Sequence, residues 1–90
     1  MNPAHDPNPA LEGHRLELAH DSGGLRHTLA GRPVHAGDAL ELRLPGGWLP
    51  GRYEWSFDPG TGPELHVALG GTDDGAVIRL PDSARLRWPR

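Results

Sequence analysis

From His14 onward, glycine and proline fall in clusters, at 23–24, 31–37, 45–51, 59–63, 70–75 and 81, and the stretches between them alternate apolar and polar residues. Period-two alternation puts every second side chain on one face of an extended strand. Glycine and proline supply the turns that join such strands. No stretch holds an apolar period of 3.6 residues long enough for a helix. The pattern therefore predicts a small all-β domain with many tight turns.

Composition alone would leave a second reading open. The 13 Gly and 10 Pro make up about a quarter of the 90 residues. Leu, Ile, Val and Phe together reach a fifth of the chain, a level at which disorder becomes common. The placement of the turn residues decides for strands everywhere except at the start. Residues 1–13, with Pro3, Pro7 and Pro9, are expected to be a mobile tail, and 14–90 a single domain with one modest core.

Other classes are excluded or disfavoured. No apolar run approaches the ~18 residues that span a membrane. The start Met1-Asn2-Pro3-Ala4-His5-Asp6 has neither a basic nor an apolar signal segment, so a cytoplasmic location without membrane attachment is expected. The chain has no Cys, which removes disulfides, thiolate metal ligands and a thiol nucleophile. Net charge is −3, a value that predicts no general attraction to nucleic acid. The charge is uneven, with residues 1–75 at −6 and residues 76–90 at +3.

Two hairpins have assignable turns. Placing Gly23-Gly24 at the centre of a type I′ turn pairs His20 with His27 and Leu18 with Leu29. Placing Gly46-Gly47 likewise pairs Leu44 with Leu49, Leu42 with Gly51, Leu40 with Tyr53, Asp38 with Trp55 and Glu41 with Arg52. Leu40, Leu42, Leu44, Leu49, Tyr53, Trp55 and Phe57 then share an inward face, and Trp48 alone among the large apolar residues points outward. Pro50 cannot donate to a ladder, so its nitrogen should face away from one or lie at a bulge. Later strands place Leu65, Val67 and Leu69, then Ile78 and Leu80, then Ala84, Leu86 and Trp88 inward. Pro81-Asp82-Ser83 suits one turn of 3₁₀ helix.

Short strands at eight- to twelve-residue spacing suggest a small barrel of five or six antiparallel strands. Gly37-Asp38-Ala39-Leu40-Glu41-Leu42, Trp48 and Gly51-Arg52-Tyr53-Glu54-Trp55 resemble a small bacterial family of domains of unknown function with an SH3-like barrel, over about residues 25–88. The resemblance implies that fold and brings no activity or site residue with it. The chain differs from peptide-binding SH3 domains, because Tyr53, Trp55 and Phe57 have inward parity.

Catalytic chemistry is thinly represented. Ser22, Ser56 and Ser83 sit in no nucleophile motif. The glycine pairs precede strands, so no helix N-terminus receives a phosphate. Thr72-Asp73-Asp74-Gly75 is too short for a calcium loop. Of six histidines, only His20 opposite His27 could share a metal, with Asp21 or Asp38 as a further ligand, and two histidines do not fill a zinc site. No enzyme activity and no cofactor are expected.

The remaining candidates are surfaces. Trp48 beside Arg43 and Pro50 is a protein-interface candidate, because a bare tryptophan is enriched at binding hot spots. Its competing role is to cover the Arg43 stem or lie under the N-terminal segment. Arg79, Arg85, Arg87 and Arg90, with Trp88, form a possible basic strand for a phosphate backbone. Net charge and the outward acids Glu41 and Glu54 weigh against that. The expected function is a non-catalytic protein-interaction module or accessory subunit, with nucleic-acid binding as the alternative.

Overall fold

A computed structural model describes residues 12–58, 60–68 and 75–90. Residues 1–11, Leu69 and the Asp73-Asp74 turn lie outside the described residues. The described chain is all-β and contains no helix. Its strands are β1 (Glu17–Asp21), β2 (Gly24–Leu29), β3 (Arg32–Pro33), β4 (Ala39–Leu44), β5 (Gly47–Glu54), β6 (Glu64–Ala68), β7 (Gly75–Arg79) and β8 (Leu86–Arg87). They form two antiparallel sheets, one of order β1-β2-β3 and one of order β7-β6-β5-β4-β8.

One core serves both sheets. Leu29 from the small sheet and Leu40, Leu65 and Leu86 from the large one are fully buried. Val34, Leu42, Tyr53, Trp55, Val67 and Leu80 complete the buried cluster. The indole of Trp88 fastens the two sheets by donating to the Leu29 carbonyl at 2.9 Å, and Arg32 stacks 4.0 Å over its ring. The 3₁₀-like turn forms as a single bond from the Ala84 N–H to the Pro81 carbonyl at 2.9 Å.

Both hairpin registers differ from the expected ones by two residues. The turn centres are Ser22-Gly23 and Pro45-Gly46, with Asp21 opposite Gly24 and Leu44 opposite Gly47. Positive φ falls on the residue after each turn, Gly24 at 103° and Gly47 at 149°. The cause at the second hairpin is Pro45. With Gly46-Gly47 central, Pro45 would flank the turn, where its missing N–H would break a ladder bond. With Pro45 inside the turn, its fixed negative φ is what the first central position of an ordinary turn requires. A shift of two keeps every strand side chain on its expected face, and Leu40, Leu42, Tyr53 and Trp55 are buried as expected.

Specific pairings do not survive. Leu42 faces Leu49, Leu40 faces Gly51, and Glu41 faces Pro50 instead of Arg52. Glu41 accepts from Arg87 Nε on β8 at 2.5 Å. His20 faces Leu25 and His27 faces Leu18, so the two imidazoles do not meet. Phe57, expected inward, is 58% exposed. The strand ends at Glu54, and a φ of 66° at Phe57 turns its ring outward against Trp55, with ring centroids 5.5 Å apart. Leu18 and Leu44 are also more exposed than parity suggests.

Candidate functional site

Proline shapes the outer face of the large sheet. The Tyr53 N–H donates to Asp38 at 2.9 Å, which fixes Tyr53, Gly51 and Leu49 as the β5 residues bonded to β4. Arg52 and Pro50 therefore point their backbone groups toward β6. The β5–β6 register runs through Glu54–Glu64 to Arg52–His66 and stops there. The next bonded pair would be Pro50 with Ala68, and Pro50 has no N–H to give. Beyond that point the strands part. Gly51 lets the Leu65 side chain and the His66 carbonyl come within 2.6 and 2.9 Å of where a Cβ would stand.

The parting leaves a groove of about 620 Å³ on the outer face, lined by Ala39, Pro50, Arg52, His66, Ala68 and Val77 among others. The lining is mostly small and apolar. Its polar side chains include Arg52, which also donates to the Gly37 carbonyl at 3.1 Å, and His66, 3.4 Å from Glu64.

The groove is bordered by β7, the edge strand of the sheet. Leu80 N–H donates to the Pro63 carbonyl at 2.9 Å. In the same ladder the bonded pairs alternate, so Ile78 and Ala76 bond to Leu65 and Val67 of β6. The backbone groups of Gly75, Val77 and Arg79 consequently point away from β6, toward an edge that no described strand pairs. Val77 is 56% exposed. Arg79 caps the strand with a side chain 71% exposed, 4.0 Å from Glu64.

The sequence-derived candidates lie elsewhere. Trp48 is half-buried, with Arg87 stacked 4.1 Å over its ring and Arg43 at 5.4 Å. A Cβ on Gly13 would stand 2.9 Å from the Trp48 ring, so the N-terminal segment covers it. Arg43 lies 4.0 Å from Glu12, and Arg85 donates to the Gly13 carbonyl at 3.0 Å. Pro50 belongs to the groove. The four arginines do not form one patch, since Arg79 is on β7 and Arg87 on β8, at opposite edges of the sheet. Arg87 is engaged by Glu41, and Arg90 is exposed at the end.

His20 is exposed, whereas His27 is 8% exposed and hydrogen-bonded to the Tyr53 phenol. Asp38, offered as a third ligand, accepts from the His35 N–H at 2.8 Å. Among the described residues no three His, Asp or Glu side chains gather around a common point. The open β7 edge was not singled out from sequence. Its signal is Gly75-Ala76-Val77-Ile78-Arg79, a strand with one terminal charge and no proline.

Comparison with known proteins found no matching family model, no matching curated protein and no matching solved structure.

Proposed function

We propose that the chain is a non-catalytic interaction module that captures an extended, acidic segment of a partner protein by adding it as a strand beside β7. The observation that carries this is the open β7 edge, with the Val77 backbone groups and side chain exposed next to the apolar groove. An unpaired edge offers main-chain bonds to any incoming strand, and neighbouring pockets select its side chains. Arg52 and Arg79 make carboxylates the fitting partner groups. The β4–β7 meander, with β8 returning to β4, supports the SH3-like arrangement as the description of the scaffold.

Val77→Pro tests the edge cleanly. The Val77 N–H faces away from β6, so proline there deletes an edge donor without breaking a ladder bond. Titration with an alternating Thr-Glu peptide, followed by backbone amide shifts, should perturb β7 and fail with a Thr-Lys peptide. Val77→Pro should weaken binding at least tenfold while the thermal midpoint moves little. Equal binding to Val77→Pro, or no shift at β7, refutes the reading. Dimerisation of the free chain through β7 would replace the partner strand with a second copy and refute it as well.

A further inference from the structure

A second concavity lies between the sheets, separate from the β7 edge. It has a volume of about 410 Å³ and is bordered by Arg15, Leu16 and Leu18 on one side and by Thr61–Pro63 on the other. That volume is in the range that holds small molecules. Trp55 and His27 form its inner wall.

His27 is the unusual group. It is more than nine-tenths buried. Its Nδ1 meets the Tyr53 hydroxyl at 2.6 Å. Its ring also packs 4.3 Å from that of Trp55. Among the described residues Nε2 has no hydrogen-bond partner, yet it is not shut off from solvent. His27 lines this cleft and a small cavity of about 30 Å³ that shares Leu16, Pro63 and Asp82 with it, so Nε2 opens toward this common space. A phenol is more acidic than a neutral imidazole N–H, and an imidazole nitrogen accepts more strongly than a phenol oxygen, so we assign Tyr53 O–H as the donor to Nδ1 and the imidazole proton to Nε2. Burial holds the imidazole below its ordinary pKa and raises the phenol to about 12, which keeps both neutral.

We propose that this cleft binds a small, neutral, carbonyl-bearing molecule with a flat apolar body, its carbonyl oxygen accepting from His27 Nε2–H. Nε2–H faces the cleft, where a carbonyl acceptor can take the place of water, and the apolar walls around it strengthen such a bond. Trp55, Leu16, Leu18 and Pro63 supply apolar walls. The mouth carries one cation, Arg15, against Glu17 and Asp82, a balance that works against an anionic carboxylate. A cation without an acceptor would suit the rim and leave Nε2 unsatisfied.

Three fragments of one shape separate these cases: benzamide, benzoate and benzamidine. The full chain is labelled with ¹⁵N-histidine, and the imidazole resonances are followed as each fragment is added. Benzamide should shift the His27 signals saturably, with a millimolar Kd suited to a fragment of about nine heavy atoms. Benzoate and benzamidine should bind at least fivefold more weakly at that site. Leu18→Trp, at an exposed position on the lip, should reduce benzamide binding at least fivefold without altering the dispersed spectrum. The proposal is overturned if benzamidine matches benzamide, if the Leu18→Trp variant binds as the parent does, or if His27 is unmoved by benzamide at about 20 mM.

Discussion

Tyr53 carries its phenol into the core, where His27 Nδ1 is its partner at 2.6 Å. The pairing sets the pH limits of the fold. Burial, and then the nearby Glu54 charge, raise the Tyr53 pKa to about 12 from 10.0. The folded state thus keeps a proton that the unfolded chain releases, so this contribution is complete below pH 10 and is lost as pH climbs to 12. His27 is lowered from 6.5 by burial, so its contribution is complete above that value and declines as pH falls below it. The thermal midpoint should form a plateau between these limits. Tyr53→Phe should remove the alkaline decline and, at pH 8, cost about 1–3 kcal/mol by leaving Nδ1 bare. An unchanged midpoint at pH 8 would mean that the bond contributes nothing. The sequence carries part of this, because His27 stands two residues from both Leu25 and Leu29 and so shares their face of the strand. Its partner was hidden, because Tyr53 is 26 residues away in another sheet.

Strand faces were legible, because they follow from period two alone. Registers were not, because they depend on which residues occupy the turn. Glycine pairs point to type I′ turns, but Pro45 shifts the second turn back by one residue. The positive-φ pair belongs instead to Ala30-Gly31, at 53° and 80°, joining β2 to β3. The same register makes Trp48 the neighbour of Arg43 across the hairpin. With Arg87 above it and Gly13 against it, the indole is a packing element for β8 and the N-terminal segment. Trp48→Ala should therefore cost about 2 kcal/mol, roughly half the loss for a core aromatic. The corresponding fall in thermal midpoint is on the order of 10 °C for a domain of this size. A midpoint within a degree of the parent would return Trp48 to the role of a docking residue.

At the scale of the whole molecule, sheet order decides what residue lists cannot. Arg79 and Arg87 are close in sequence, yet β6, β5 and β4 lie between their strands. The sequence showed a cationic terminus, and the topology distributes it over two edges. The same topology ties distant parts of the chain together. His14 and Leu86 exchange backbone bonds at 2.8 Å, and Arg85 reaches the Gly13 carbonyl across 72 positions. Closing a loop of that length is slow, whereas the β4–β7 meander joins neighbours. Contact order predicts that the meander assembles first and that β8 with His14 docks last. Leu86→Ala should accordingly speed unfolding much more than it slows refolding in stopped-flow measurements, and a variant that chiefly slowed refolding would place this seam in the folding nucleus.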